Sequence, residues 1–375
     1  QGDLPVKKQV FALHNKALIW VLLALVSIVV STANAKSYVP ASENIVVAKW
    51  TVVDKSDSPK ERVALLLSKA NLPGLASRYY GQASALTETL LRDTPNDIEL
   101  SFYQAKIAQH YHRFDTALSI LTGILRRQEN HPSALLLKAN ILLVQGRLVA
   151  AKQTCLQLLG KAELWIGGAC ALEVNAQSGN NDSVADSYAQ LLSLVERSSL
   201  HQYTNVEQQR WVQQILAELA AKQGMYNQAI SHLAAFELTQ VPVSYLALWA
   251  DIQLALNKPE RVLRILGPIV EQADSFDDAL LIRLALSENQ ISDQHTRWTP
   301  RLTQRINIRM QRKDTAHAAD IARYFLDIAP DRKKALFWAK INWQQARLDD
   351  DKRLIERAMD VQYAPEKRTN QSAGM

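Results

Sequence analysis

Four alanines follow one another at an interval of 34 residues in the first half of this chain. They are Ala83, Ala117, Ala151 and Ala185, and several large residues around them keep the same step. A fixed period of this length is typical of stacked helical hairpins, each of which buries its apolar face against its neighbours. The sequence therefore predicts one long helical array over most of its 375 residues.

The composition agrees with a helical array and argues against a nucleic-acid partner. Twelve glycines and twelve prolines are few for this length, and 47% hydrophobic residues can supply a sizeable core. The net charge of +6 is small and scattered along the chain. A nucleic-acid surface needs a concentrated basic patch, so we predict that nucleic acid is not the partner.

The first 35 residues have the features of an export signal. Lys7, Lys8 and Lys16 precede the apolar run 17–30, and the segment ends in Ala33-Asn34-Ala35. A basic start, an apolar segment and an A-x-A site are typical of a cleaved signal peptide. Residues 17–35 carry no charge and would also suit an uncleaved membrane anchor. Because basic residues stay cytoplasmic, both interpretations predict a periplasmic protein that meets the membrane only through this segment.

The remaining chain divides into three parts. Residues 36–58 predict an extended linker, residues 59–361 the helical array, and residues 362–375 a flexible polar tail. The array has a clear start, because Ser58 can cap a helix in which Pro59 occupies the first turn and Glu61 follows three residues after the cap.

One unit shows the repeat most completely. It places a large residue, a small residue and a second large residue on the first helix, then a turn glycine and a second-helix alanine: Leu135, Ala139, Leu142, Gly146 and Ala151. This order resembles the tetratricopeptide repeat, a superfamily of 34-residue helix–turn–helix units. The resemblance implies an all-α, right-handed superhelical α-solenoid of about seven hairpins, whose first helices line a concave groove.

The repeat is less regular outside the region from Tyr80 to Leu192. The next second-helix alanine, Ala229, follows 44 residues after Ala185, and the pattern returns at Ala318 after two poorer helices. Three positions depart from the family pattern: Pro73-Gly74 breaks the first hairpin early, Glu173 replaces a small residue, and Asp182 replaces an aromatic residue.

Cys155 and Cys170 are the two cysteines of the chain. Each lies seven or eight residues from the centre of the turn that joins their helices, so antiparallel packing brings them level. In an oxidising compartment they could form a disulfide. Two buried, unpaired thiols are the alternative, since free cysteine is among the most buried residue types.

No motif in the sequence predicts catalysis or a cofactor. His110 and His112 are two residues apart, and on a helix such side chains diverge by about 200°, which does not suit a shared metal ion. The sequence also lacks a G-x-S-x-G turn, a Walker loop and a dinucleotide-binding glycine run. We therefore predict a protein that is not an enzyme and that holds neither metal nor cofactor.

The resemblance implies which side chains face a partner. By matching positions of the first helices, the groove residues are Phe102, Tyr103, Lys106, Asn140, Trp211, Gln214, Glu218 and Asp251. Phe102, Tyr103 and Trp211 could equally pack against a neighbouring helix.

These observations predict a non-catalytic scaffold that binds a protein or peptide segment of another envelope protein in its groove. One alternative is an envelope enzyme or assembly factor with a site near residues 288–300. Another is a structural protein that assembles end to end, for which Leu354, Ile355 and Ala358 would offer a small apolar face.

Overall fold

The computed structural model describes residues 58–177, 181–198, 205–291 and 297–360. The chain divides into two units, residues 1–54 and 55–375, and all described residues belong to the second unit. The predicted export signal, almost all of the predicted linker and the tail at 362–375 therefore lie outside the described residues.

The described residues form seventeen α-helices and no β-strand. The helices are α1 (Pro59–Ala70), α2 (Ala76–Asp93), α3 (Ile98–His110), α4 (Phe114–Arg127), α5 (Pro132–Val144), α6 (Leu148–Leu156), α7 (Leu164–Ala176), α8 (Asn181–Arg197), α9 (Val206–Lys222), α10 (Tyr226–His232), α11 (Val243–Ala255), α12 (Pro259–Glu271), α13 (Asp278–Ile291), α14 (Trp298–Gln311), α15 (Ala318–Asp327), α16 (Arg332–Gln345) and α17 (Asp349–Met359). Short 3₁₀ helices lie at Leu233–Ala235, Leu238–Gln240 and Thr315–His317.

Local chemistry sets the helix starts. Asp97 accepts a hydrogen bond from the Leu100 backbone N–H at the start of α3, and Asn205 accepts one from Gln208 at the start of α9. A side-chain acceptor at this position satisfies one of the N–H groups that the first turn leaves without a partner. Pro59 begins α1, as the sequence predicts.

The helices pack in order along the chain. Each even-numbered helix follows and contacts the odd-numbered helix before it, which gives eight successive pairs before the final helix α17. Every odd-numbered helix also contacts the next odd-numbered helix, from α1 to α17. The odd-numbered helices thus form one continuous layer, here called the inner layer. The predicted all-α solenoid is confirmed, with one more pair than the sequence suggested.

Three of the four alanines act as predicted spacers. Ala83, Ala117 and Ala151 are fully buried, because only a small side chain lets the two helices of a hairpin approach closely. Ala185 is exposed, so its predicted role was wrong. In its helix α8 the first two buried positions are Val184 and Ser187, which have the spacing of Phe114 and Ala117 in α4.

The fourth hairpin has a different register from the third. On its first helix, Trp165 and Ala169 are buried with the spacing of Leu135 and Ala139, but after a step of 30 residues instead of 34. On its second helix the step from Ala151 to Ser187 is 36 residues. Glu173 and Asp182 therefore do not occupy the small and aromatic positions that the 34-residue step assigned to them.

The turn between α1 and α2 contacts a distant part of the solenoid. Gly74 donates its backbone N–H to Asp277 over 2.6 Å, and its carbonyl accepts from the Ser275 hydroxyl over 2.8 Å. Asn71 O accepts from the Val243 N–H over 3.2 Å. We call this the first closure contact. Pro73-Gly74 thus forms a turn that packs against residues about 200 positions later.

A second closure contact joins the α16–α17 turn to hairpins near the start. The Arg347 N–H donates to Val144 O over 2.7 Å, and the Asp349 N–H donates to Gln177 Oε1 over 3.2 Å. His112 Nδ1 lies 3.2 Å from Gln345 Oε1. Each contact thus joins one end region of the described solenoid to hairpins that are far away along the chain.

Each closure contact includes a glycine with positive φ. A Cβ added to Gly74, at φ 72°, would lie 2.5 Å from Ala273 Cβ; one added to Gly146, at φ 71°, would lie 2.9 Å from Arg347 Cβ. Gly224 has the same backbone conformation, at φ 75°, but an added Cβ would meet open space. Only glycine permits both the conformation and the close approach at the closure contacts.

Candidate partner-binding surface

All eight predicted groove residues lie on helices of the inner layer. They come from α3 (Phe102, Tyr103, Lys106), α5 (Asn140), α9 (Trp211, Gln214, Glu218) and α11 (Asp251). The structure therefore brings them to one layer, although several have partners within the protein.

Two of the three aromatic residues mainly serve packing. The Phe102 ring lies 5.4 Å from the His131 ring, and Trp211 packs against two buried clusters that contain Leu135 and Leu216. Tyr103 donates its hydroxyl to Glu99 over 2.7 Å, and burial together with this bond raises the pKa of the phenol. For Phe102 and Trp211 the alternative of packing between helices describes the structure, whereas the hydroxyl of Tyr103 bonds within its own helix α3.

Asp251 is committed to an ion pair. Its two oxygens accept from Arg283 Nε and Nη2 over 2.9 and 2.6 Å, in the bidentate geometry that suits a guanidinium. Arg283 is almost fully buried, while the Asp251 side chain is 48% exposed. Asp251 thus neutralises a buried cation from α13 and joins α11 to α13.

The inner layer carries a pair of carboxyl groups with raised pKa. Burial, then the nearby Glu218, raises the pKa of Glu173 to about 8, and Lys222 opposes this shift. Burial also raises the pKa of Glu218, against a 3.0 Å hydrogen bond from Gln214 and the charge of Lys222. Glu173 is therefore largely protonated at neutral pH.

Lys106 and Asn140 are less engaged by the fold. Burial lowers the pKa of Lys106, and the charge of Glu207 opposes this effect. Asn140 is exposed on α5, and within the described residues it has no hydrogen-bonded partner. These two side chains lie on neighbouring helices of the inner layer, since α3 contacts α5.

Cys155 and Cys170 form a disulfide bond in the structure. Their Cα atoms are 5.5 Å apart, within the range of protein disulfides. Both residues are buried, and they join α6 to α7 across the turn between the third and fourth hairpins.

The two histidines of the His110–His112 segment have separate structural roles. His110 stacks on Tyr80 with ring centroids 3.5 Å apart, and burial lowers its pKa to about 4. His112 contacts Gln345 at the second closure contact. Among the residues that the structure describes, no cluster of three or more His, Cys, Asp and Glu side chains could hold a metal ion.

The segment considered for an enzyme site includes Glu288, which caps a helix. Its carboxylate accepts the backbone N–H groups of Arg297 over 2.9 Å and Thr299 over 3.0 Å, at the start of α14. Burial alone would raise the pKa of Glu288, but the hydrogen bonds from Thr299, Arg297 and Trp298 lower it overall. Asp293 and His295 of this segment lie outside the described residues.

The apolar face considered for end-to-end assembly is covered. Leu354 and Ala358 of α17 are buried in the core that α15 and α16 share, and Ile355 packs against it. This face is therefore used within the chain.

Sequence reasoning missed a pocket at the second closure contact. Its lining comes from the second and third hairpins and from the α16–α17 region: His112, Phe114, Asp115, Gln145, Arg147, Gln344, Gln345 and Arg347. The positive-φ turn at Gly146 was the only local signal, and a turn glycine does not show which distant residue packs against it.

No family model and no curated protein matches this sequence. Solved structures with a similar arrangement include the APC/C hetero-tetramer Cut9–Hcn1, with 12% identity and a TM-score of 0.47 over 80% of this chain and 55% of that chain. The human IFIT1 dimer with m7Gppp-AAAA has 13% identity and a TM-score of 0.48, over 80% of this chain and 70% of that chain. A tetratricopeptide repeat protein from Parabacteroides merdae has 13% identity and a TM-score of 0.34, over 80% of this chain and all of that chain.

The stacked hairpins and their small-residue spacing define the class of this protein as an all-α solenoid of helical hairpins. Among the described helices, none has the length and apolar character required to cross a membrane.

Proposed function

We propose that this protein is a non-catalytic scaffold that holds a segment of another protein against its inner layer. The observation that carries the proposal is the contrast between the predicted groove residues. Asp251, Gln214 and Glu218 bond within the protein, whereas the fold uses neither Lys106 nor Asn140 in a hydrogen bond or an ion pair among the described residues.

The chemistry of these two groups suits a polypeptide partner. An asparagine amide both donates and accepts, so it can bond to a peptide backbone, and a lysine ammonium can donate to a carbonyl or a carboxylate. Two such groups on neighbouring helices provide fixed points for an extended segment.

Site-specific photo-crosslinking tests this proposal. A photoreactive amino acid at Asn140 should capture one partner from cells, and the same amino acid at Lys152, exposed on the second-layer helix α6, should not. The double variant Lys106→Glu, Asn140→Ala should lose partner recovery in a pull-down.

The matched control is Lys152→Glu, Gln153→Ala, which makes the same chemical changes at exposed positions of α6. Equal partner recovery by both double variants would show that the inner layer is not the binding surface.

We further propose that the protein acts in the periplasm. The signal-like residues 1–35 support this location, and a Cys155–Cys170 disulfide is the kind of bond that persists in an oxidising compartment. Alkaline phosphatase fused after residue 360 should be active in cells, because that enzyme requires an oxidising compartment to fold. An inactive but intact fusion would contradict the proposed location.

A further inference from the structure

The second closure contact borders an open pocket of about 410 Å³, which is in the range of small-molecule sites. One wall consists of the α3–α4 and α5–α6 turns, and the other of the end of α16 and the turn that follows it. The pocket therefore exists only while the solenoid is closed.

Two arginines line this pocket without a carboxylate partner. Arg147 comes from the first wall and Arg347 from the second, and neither forms an ion pair within the described ranges. Arg347 is held in place by its backbone bond to Val144 and by a 3.3 Å bond from its Nε to Trp343 O. Its terminal nitrogens remain available, and guanidinium groups bind carboxylates through paired hydrogen bonds.

The pocket also contains a group that suits a cation. Asp115 lines it, is exposed, and forms no ion pair with any described residue. An ammonium group of a ligand can donate hydrogen bonds to this carboxylate, and hydrogen bonds between charged groups are stronger than neutral ones.

We propose that this pocket binds a ligand with two carboxylates and one ammonium group, the chemistry of an acidic amino acid. The carboxylates pair with Arg147 and Arg347, and the ammonium donates to Asp115. Because the arginines belong to the two walls, the ligand joins them and stabilises closure. A free acidic amino acid carries all three groups, whereas the N-terminal acidic residue of a peptide has lost one carboxylate to the peptide bond. The site is separate from Lys106 and Asn140, so it does not depend on the proposed scaffold function.

Calorimetric titration of the full chain with defined probes tests the site. L-glutamate should bind at least about tenfold more tightly than glutarate, which lacks the ammonium, and 4-aminobutyrate, which lacks one carboxylate. The peptide amide Glu-Gly-Gly-NH₂ has the ammonium but only one carboxylate, so it should bind more weakly than L-glutamate; equal or tighter binding would contradict a role for the second carboxylate.

Matched variants show whether binding occurs in this pocket. Arg147→Gln and Arg347→Gln should each weaken binding of L-glutamate at least about tenfold, and Arg126→Gln, at an exposed arginine of α4 outside the pocket, should leave it unchanged. The melting temperature of each variant without ligand shows whether it folds. The proposal is overturned if L-glutamate does not bind, if glutarate, the peptide amide or inorganic phosphate binds as tightly, or if the folded arginine variants bind normally.

Discussion

At the scale of single residues, Glu173 shows how an unusual side chain can be part of the inner layer. It lies on α7, partly buried, close to Glu218 and Lys222. With a 34-residue step, Glu173 falls at a position where the repeat has a small residue. The register of the fourth hairpin places Ala169 at that position instead. Glu173 is thus an inner-layer residue whose environment favours the protonated form.

The replacement Glu173→Gln should make stability less dependent on pH. The pKa of Glu173 is about 8 in the folded protein and near 4.5 when unfolded, so the folded state holds a proton that the unfolded state releases. The contribution of this group to stability is therefore complete below about pH 4.5 and is lost as the pH rises towards 8. Between pH 5 and pH 8.5 the free energy of unfolding of the natural protein should fall by roughly 4 kcal/mol more than that of the variant, because each pKa unit corresponds to about 1.4 kcal/mol.

Urea unfolding at both pH values measures this difference. Glu129→Gln, at an exposed carboxyl before α5, serves as the control and should retain the pH dependence of the natural protein. If the free energy of unfolding depended on pH equally in the natural protein and in Glu173→Gln, the raised pKa of Glu173 would be contradicted.

For Glu288 we predict a pH dependence of stability that is opposite to that of Glu173. Its pKa is lowered in the folded protein, so its contribution is present above its ordinary pKa and is lost as the pH falls through the folded value. Glu288→Gln should destabilise the protein by about 1–2 kcal/mol at pH 7, because a neutral amide accepts the three backbone N–H groups less strongly. The difference between the two proteins should shrink below pH 4 in chemical unfolding, and a constant difference would exclude the capping role.

At the scale of elements, the sequence predicted most of the helices and missed one change of register. Ala83, Ala117 and Ala151 identified second helices correctly, because a buried small residue is required where two helices cross. Ala185 continued the step by coincidence, since alanine is also a good residue for an exposed helix surface. The sequence alone cannot distinguish these two uses of alanine.

The disulfide between Cys155 of α6 and Cys170 of α7 gives a prediction at the scale of elements. Denatured, unreduced protein should contain no free thiol, and reduction should release two. The change Cys155→Ser, Cys170→Ser should lower stability by about 3 kcal/mol, the size expected for a disulfide that closes a loop of 15 residues. Two free thiols in protein prepared from the periplasm without reductant would show that the cysteines remain unpaired.

At the scale of the whole molecule, closure is the feature that the repeat could not predict. A repeat period describes contacts between neighbouring hairpins, whereas the closure contacts join residues about 200 positions apart. Gly74 and Gly146 look in the sequence like ordinary turn glycines. Only the structure shows that Ala273 and Arg347 pack against them.

The replacement Gly74→Ala should weaken the first closure contact in addition to straining the turn. Gly74→Ala and Gly224→Ala both place a side chain at positive φ, which costs about 1–2 kcal/mol. Only at Gly74 would the new Cβ meet Ala273 and Ser275 at 2.5 Å. Gly74→Ala should therefore be more susceptible to limited proteolysis near residues 272–277 than Gly224→Ala, and equal susceptibility would argue against a role of Gly74 in closure.

The two closure contacts shape the inner layer and form the pocket at Arg147 and Arg347. Closure is therefore the central claim, and a distance measured across the first closure contact tests it most directly. Spin labels on cysteines introduced at Ser77 and Gln272, both exposed, would lie on the two sides of this contact. Pulsed electron paramagnetic resonance should give one short, narrow distance in the otherwise natural protein and in Gly224→Ala, and a longer, broader distribution in Gly74→Ala. A long, broad distribution in the otherwise natural protein would mean that the solenoid is open in solution.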